Sequence, residues 1–478
     1  MEFLEQLFEL HFGSRPAKVQ PVQGGLGGSG RMIVRLSNAE HSAIGIQNDV
    51  ADENAAFLAF TRHFCKHGLP VPEIYRVDDA HGAYLEEDLG DTTLFQFLSQ
   101  NRNGAEIAPE VIAAYRKVVE ALPRFQVEAA RDFDYSVCYP RASFDRQSIS
   151  WDLNYFKYYF LKLSGVPFHE QAVEEDFAKL TNLLLSADTN YFLYRDFQSR
   201  NVMLRDGNPY FLDYQGGRRG ALQYDIASLL FDAKAELPPE LRAQLLDHYL
   251  DALAKYTAVD RDEFLRTYYA YVYVRILQAL GAYGFRGFYE RKAHFLQSVP
   301  YALRNLRWLM HNIKLPVELP ALMSAFANMI GSDKLQQIMA PVVNTEGLTV
   351  VVTSFSFHRG PVQDESGNGG GFVFDARSLP NPGREERFKA LTGKDAPVIE
   401  YLEQQKSVPR FLDHAASLVD ASVSDYQRRG FKNLMVSFGC TGGQHRSVYL
   451  AEQLAKHLRG KNGVEVIVRH LELESADR

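Results

Sequence analysis

Tyr194-Arg195-Asp196-Phe197-Gln198-Ser199-Arg200-Asn201, with Phe211-Leu212-Asp213 closing the same stretch, is the segment on which the reading of this chain turns. It lies in YFLYRDFQSRNVMLRDGNPYFLDYQ (191–215), which alternates short strand-like runs with a polar loop. An Asp is followed five residues later by an Asn, and a second Asp comes twelve residues after the Asn, at the end of a strand. Phosphoryl transfer needs a group that orients the attacking hydroxyl and oxygen ligands for a hard cation near the phosphates. By these roles Asp196 accepts or positions the hydroxyl proton, and Asn201 and Asp213 hold Mg²⁺. Either half of the pattern recurs by chance in loops. The order, spacing and flanking strands together are far more specific.

Upstream, the chain opens with helical spacing over Glu2–His11 and then a Gly-rich segment, Gly24-Gly25-Leu26-Gly27-Gly28-Ser29-Gly30, with five glycines in seven residues. Glycines let backbone N–H groups approach phosphates closely, so Gly25, Gly27, Gly28, Ser29 and Gly30 are candidate contacts to ATP. No Gly-Lys-Ser/Thr follows, so this is not a Walker A loop. MIVRL (32–36) and SAIGIQ (42–47) read as strands, ENAAFLAFTRHFCKHG (53–68) as a helix, LPVPEIYRVD (69–78) as an extended run, and AYLEEDLG (83–90) as a strand ending in a turn. From Leu94 to His311 the texture is helical and aromatic. After Gly347 it changes: LTVVVTSFSF (348–357), FVFDARSLPNP (372–382), NLMVSFGCTGGQHRSVYLAEQLAKHL (433–458) and VEVIVRHLE (464–472) alternate strand and helix, which implies a parallel sheet.

The stretch 194–213, continuing through Gly216-Gly217-Arg218-Arg219-Gly220-Ala221-Leu222-Gln223-Tyr224-Asp225-Ile226-Ala227-Ser228, resembles the catalytic loop and metal-binding Asp of the aminoglycoside-phosphotransferase superfamily. It is most similar to the branch of anomeric amino-sugar kinases. The resemblance covers roughly residues 15–310. It implies a bilobal protein-kinase-like fold over 1–335, with a small lobe at about 1–92 and a helical large lobe at about 93–335. It also implies Tyr84–Gly90 as the adenine-binding hinge, and Asp225 as a structural N-cap. Kinases of this fold carry a Lys on the third strand. The matching strand here, Ala43-Ile44-Gly45-Ile46-Gln47-Asn48, has none. Glu53, opening the next helix, is the usual partner of that Lys. Arg35 on the preceding strand is the candidate substitute, the alternative being Mg²⁺ and backbone donors alone. Trp151, Asp152, Asn154 and Tyr155 form a candidate sugar-facing wall, set against the commoner reading of an aromatic stripe as core.

Near the C-terminus, Phe438-Gly439-Cys440-Thr441-Gly442-Gly443-Gln444-His445-Arg446-Ser447 joins a strand to a helix. Glycines, backbone N–H groups and a helix N-terminus make an anion site, and Arg can bind phosphate with two parallel bonds. The same residues read as Cys-x5-Arg-Ser, the pattern of cysteine-dependent phosphatases, but no general acid is evident. With FVFDARSLPNP (372–382) and LTGKDAPVIEYL (391–402), the motif resembles the C-terminal domain of the RapZ family and implies an α/β phosphate-binding domain over 346–478. By matching motif, Thr441, Gly442, Gly443, His445, Arg446 and Ser447 form the anion pocket. Asp375, Arg377 and Asn381 are its wall, and His358 or Arg359 adds a basic contact. That family's domain binds amino-sugar phosphate and a small RNA. From Leu348 onward there are 17 Lys and Arg against 16 Asp and Glu, and the chain ends LELESADR, which argues against RNA here.

The 478 residues carry a net charge of −7, which gives no support for general affinity for nucleic acid or an anionic membrane. Three scattered cysteines suit a reducing compartment. The N-terminus lacks a basic signal region, and no stretch of 18 apolar residues is free of charge, so a cytoplasmic chain is expected. The expectation is therefore an ATP- and Mg²⁺-dependent kinase acting on a sugar hydroxyl, with an amino sugar of cell-wall recycling such as N-acetylglucosamine or N-acetylmuramate as its acceptor. A sugar-phosphate-binding domain follows. The alternative is a non-catalytic regulator that binds nucleotide, sugar phosphate or RNA.

Overall fold

The computed structural model describes residues 2–22, 31–104, 106–337, 348–360, 362, 371–429, 431–461 and 463–473. The Gly-rich candidates Gly25, Gly27, Gly28, Ser29 and Gly30 lie outside the described residues. The chain divides into two compact units, Met1–Tyr289 with Ser298–Ile338, and Glu290–Gln297 with Met339–Arg478.

The first unit begins with helix α1 (Glu2–Phe12) and strands β1 (Lys18–Pro21), β2 (Met32–Ser37) and β3 (Ser42–Gln47). Helix α2 (Ala51–Lys66) and strands β4 (Ile74–Asp78) and β5 (Ala83–Glu87) complete a small lobe. The five strands form an antiparallel sheet in the order β1-β2-β3-β5-β4. Successive side chains on a strand point to opposite faces. Val34, Leu36, Ala43, Ala83 and Leu85 therefore share one face, which Leu4, Leu7 and Phe8 of α1 cover. Tyr84 and Glu86 fall on the other face, where Phe57 of α2 stacks on Tyr84 (5.2 Å between ring centroids).

The larger lobe is helical. Its longest helix, Arg261–Gly284, is started by Asp260, whose carboxylate accepts from the N–H groups of Asp262 and Glu263 at 3.0 and 3.1 Å. Phe264, Tyr268, Tyr271, Tyr273 and Leu277 are buried along it. Gly284 is required where this helix meets Lys157–Leu161, the helical continuation of Arg146–Phe156, because a Cβ there would sit 2.2 Å from the Tyr159 carbonyl oxygen. Among the described residues three short antiparallel pairs interrupt the helices: Arg102–Asn103 with Glu106–Ile107, Val202–Arg205 with Asn208–Phe211, and Tyr191–Leu193 with Arg218–Gly220. A sheet lobe followed by a helical lobe is the arrangement expected from the sequence.

The second unit holds four parallel strands in the order Gly371–Asp375, Asn433–Cys440, Leu348–Ser356, Val464–His470. Leu348–Ser356 and Asn433–Cys440 are buried almost throughout, as parallel strands covered on both faces must be. Val350, Val352, Val436 and Phe438 pack with Val419 and with Leu450 and Leu454 of the helix Arg446–Leu458. Among the described residues, no helix is long and apolar enough to cross a membrane.

Candidate functional site

The strand Tyr191–Leu193 delivers the chain into the loop that carries Asp196, and Phe211 leads out of the hairpin into Asp213. Asn201 joins the two. Its Nδ2 donates to the Asp196 carbonyl oxygen (2.9 Å) and to Asp213 Oδ2 (3.1 Å). With the amide nitrogen so used, Oδ1 is left as the donor suited to a hard cation. Gln215 Nε2 donates to Asp213 Oδ1 at 2.7 Å. Arg195 and Asp213 both take positive φ, 83° and 65°, a conformation that costs a non-glycine residue about 1–3 kcal/mol and persists only where the surroundings impose it.

What imposes it on Arg195 is Asp225. The expectation that Asp225 caps a helix is corrected: the helix Gln223–Leu230 begins before it, with Leu222 at the N-cap position. The fully buried Asp225 carboxylate instead accepts from the backbone N–H groups of Tyr194 (2.9 Å) and Arg195 (3.0 Å), and from Gln126 Nε2 (3.0 Å). Burial pushes this carboxyl up to about 7, against the pull of the three donors. Asp152 adds a second brace, pairing with both terminal nitrogens of Arg195 at 2.6 and 2.7 Å. Of the expected sugar-facing wall, Asp152 thus acts through Arg195. Trp151 is 46% exposed, Asn154 bonds Ser150, and Tyr155 packs against Phe285.

Asp196 keeps 37% of its side chain open to solvent, yet protein surrounds it on most sides. Desolvation raises its pKa, while Arg275, whose Nη2 lies 3.9 Å from Oδ1, pulls it back down. A cavity of about 20 Å³, lined by Gln198, Ser228, Asp232, Arg275 and Tyr283, shares Arg275 with this carboxylate, but Asp196 itself does not line it.

The missing strand Lys is resolved differently from expectation. Arg35 does not reach the site: its guanidinium pairs with Asp88 (2.7 and 2.9 Å) and Asp91 (2.7 Å). Arg31, just ahead of β2, takes the central place. Its Nη2 donates to Glu53 Oε1 (2.6 Å) and its Nη1 to Asp213 Oδ1 (3.2 Å), with only 12% of the side chain exposed. Glu53 is held from the other side by Asn48 Nδ2 at 2.8 Å. Sequence reasoning missed Arg31 by searching only β3 and the middle of β2. Met32 pairs with Gln47, so Arg31 stands one step beyond, level with Asn48, and this register was the available signal. Arg275 and Gln215 carried no signal in the linear order. On β5, burial pushes Glu86 up to about 8, with Arg31 drawing it down, and its Oε2 has no hydrogen-bond partner among the described residues.

In the second unit, the strand Asn433–Cys440 runs into Thr441–His445 and then the helix Arg446–Leu458. No side chain caps this helix, so its first N–H groups remain available to an anion, and Thr441 and Gly442 are exposed beside them. Gly443 has φ +71°, and a Cβ there would meet Glu472 Cγ at 2.3 Å. The side chains expected to line the pocket turn inward. His445 Nε2 donates to the Phe388 carbonyl oxygen (2.9 Å), and Ser447 Oγ lies 3.2 Å from Cys440 Sγ. Arg446, only 4% exposed, spends Nη1 on the carbonyl oxygens of Arg377 (3.1 Å) and Leu379 (3.0 Å). It ties a loop to the helix rather than standing open as a phosphate fork. Asp375 and Arg377 pair with each other at 2.6 Å, and Arg377 lies 4.0 Å over the Phe357 ring. Cys440 is buried at the strand end, so no exposed thiol serves the phosphatase pattern.

The model of the phosphotransferase enzyme family (APH) matches residues 22–260, half of the chain, and that of the RapZ C-terminal domain matches residues 348–474. A nucleotide-binding protein of Acidovorax sp. (strain JS42) is 41% identical over 175 residues, 35% of this chain and 58% of the relative. One of Xylella fastidiosa (strain M23) is 43% identical over 133 residues, 28% of this chain and 44% of the relative. The chain spans about half the length of these curated relatives. Among solved structures, choline kinase LicA from Streptococcus pneumoniae aligns with TM-score 0.43 at 15% identity, covering 65% of this chain and 99% of that one. The AMP-bound spectinomycin phosphotransferase APH(9)-Ia aligns with TM-score 0.42 at 12% identity, covering 72% and 99%.

Proposed function

The chain belongs to the phosphotransferase enzyme family, and from that premise we propose that it moves the terminal phosphoryl group of ATP to a sugar hydroxyl, with amino sugars as the acceptor class. The observation that carries the reading is the bridge made by Asn201 between the Asp196 loop and the Asp213 carboxylate. A carboxylate and an amide oxygen side by side form a donor set that fits Mg²⁺, which would supply charge neutralisation at the phosphates when bound. Asn201 and Asp213 would hold it. Tyr84–Gly90, which begins within β5, is the segment whose backbone would meet the adenine.

In this reading Asp196 takes the hydroxyl proton as the acceptor oxygen attacks in line, and its raised pKa makes it a better base than an exposed Asp. Arg275 keeps it ionised. Arg31, oriented by Glu53, supplies the positive charge that the absent strand Lys would give to the phosphates. Arg275, 3.9 Å from Asp196 Oδ1, is the nearby cation that an acceptor hydroxyl would share with that carboxylate. In the second unit, a sugar phosphate would rest on the backbone N–H groups of Thr441, Gly442 and Gly443 at the uncapped helix.

A panel of amino sugars and their relatives, assayed for acceptor-dependent ATP consumption, tests the proposal. Asp196→Asn should bind nucleotide as before and lose turnover by about 10²–10⁴-fold. Turnover at the parent rate in that variant would remove the mechanism. Nucleotide binding without transfer by the unaltered protein would favour a regulator instead.

A further inference from the structure

His63, in the last turn of α2, and His67, the residue that caps its C-terminus, stand four residues apart, and their rings lie 4.6 Å apart at the helix end. That end meets the turn Ala129–Asp132 of the larger lobe. Three donors converge there. His67 Nε2 lies 2.8 Å from Asp132 Oδ1, His63 Nε2 lies 3.7 Å from the same oxygen, and His63 Nε2 lies 2.7 Å from the Ala129 carbonyl oxygen. The two ring nitrogens and the carboxylate oxygen all fall within 4.8 Å of one another. Metal–ligand bonds of 2.0–2.1 Å in a tetrahedron place ligand atoms about 3.3 Å apart, and these separations bracket that value. The second carboxylate oxygen, Oδ2, is held by Lys66 Nζ at 3.3 Å, which leaves Oδ1 turned toward the rings. The histidine side chains are 15% and 21% exposed, with the Phe133 ring 5.0 Å from that of His63, so the donors sit in a partly dry pocket with an opening at Asp132.

We infer that His63, His67 and Asp132 form a binding site for a borderline divalent transition metal of the Zn²⁺ class, with the Ala129 carbonyl or a water in the fourth position. Imidazole nitrogens with one carboxylate select such ions over Mg²⁺ or Ca²⁺, which prefer all-oxygen shells. The site joins segments more than sixty residues apart, α2 and the chain at 129–132. Glu53, partner of Arg31, lies on the same helix ten residues before His63, a distance of about 15 Å at roughly 1.5 Å per residue. The cation therefore steadies the helix that positions Glu53, while standing apart from the Asp213 site.

The test uses the full chain, stripped with a chelator, dialysed and titrated with Co²⁺. Stoichiometric visible ligand-field absorption of four-coordinate cobalt is expected, displaced by equimolar Zn²⁺, with a melting temperature that rises with Zn²⁺ concentration. His67→Gln and Asp132→Asn should each weaken Co²⁺ binding by at least about 100-fold, more than loss of an outer-shell partner does, while keeping the far-ultraviolet dichroism of the parent. Asp213→Asn should leave the cobalt spectrum unchanged, which separates this site from the proposed nucleotide-metal site. A featureless cobalt titration, or a spectrum that survives His67→Gln, overturns the inference and leaves a hydrogen-bonded His–Asp cluster only.

Discussion

Replacing Arg31 by Met would remove one guanidinium that holds two carboxylates at once. Its nitrogens reach Glu53 Oε1 at 2.6 Å and Asp213 Oδ1 at 3.2 Å, from a side chain only 12% exposed. Breaking a buried ion pair costs about 3–5 kcal/mol, and an exposed one about 0–1. Glu53 and Asp213 keep 27% and 37% of their side chains in solvent, which rehydrates much of the orphaned charge. The loss of folding stability should therefore be intermediate, about 2 kcal/mol. The larger effect is expected on transfer, because withdrawing one charged donor from the transition state costs on the order of 10²–10³ in rate, or roughly 3–4 kcal/mol. Arg31→Lys should recover part of it, since a point charge on a flexible stem replaces a planar fork. Arg35→Met should stay within about threefold of the parent, as its partners Asp88 and Asp91 lie outside the Asp196–Asp213 cluster. The assay is kcat/KM for Mg-ATP with a saturating acceptor, alongside chemical denaturation to read stability separately. If Arg31→Met turns over like the parent while Arg35→Met is crippled, the assignment of the phosphate charge to Arg31 is wrong.

Three further outcomes are expected. Asp225→Ala leaves the Tyr194 and Arg195 N–H groups unpaired, so it should cost about 3 kcal/mol or more in stability and lower turnover, whereas Asp225→Asn keeps one acceptor and should lose less; equal losses in denaturation and rate would refute the brace. Glu86 is raised to about 8 in the folded chain from 4.5 when unfolded, so the native state binds more protons between those pH values and stability falls as pH rises through that window. Glu86→Gln should remove that slope, gaining on the parent by on the order of 3–5 kcal/mol between pH 4.5 and 8; parallel stability curves would contradict it. Gly443→Ala forces a side chain into left-handed backbone against Glu472, so it should destabilise the second unit by at least about 1–2 kcal/mol, and thermal unfolding unchanged from the parent would show that the turn relaxes freely.

Local order in the chain carried much of the architecture. The alternation in MIVRL and SAIGIQ marks β2 and β3, since a period of two is visible without knowing the partner strand. LTVVVTSFS has no polar alternation, and that continuity already speaks for a strand covered on both faces. Asp196, Asn201 and Asp213 were legible because one short strand–loop–strand element holds all three. Arg446 was legible as a residue but not as a role. Its charge suggested a phosphate fork, whereas three-dimensional proximity assigns it to the carbonyl oxygens of Arg377 and Leu379, some seventy residues earlier.

Taken alone, the sequence determined what short-range chemistry can specify: the strands, the Gly-rich loop before the C-terminal helix and the residues of the Asp196–Asp213 loop. The tertiary structure alone decided which charges meet. Arg31 finds Glu53 and Asp213, Arg35 is drawn off by Asp88 and Asp91, and Asp225 braces a loop thirty residues upstream. Long flexible side chains choose partners by the distances and desolvation that folding creates, and neither quantity is written in the order of the residues.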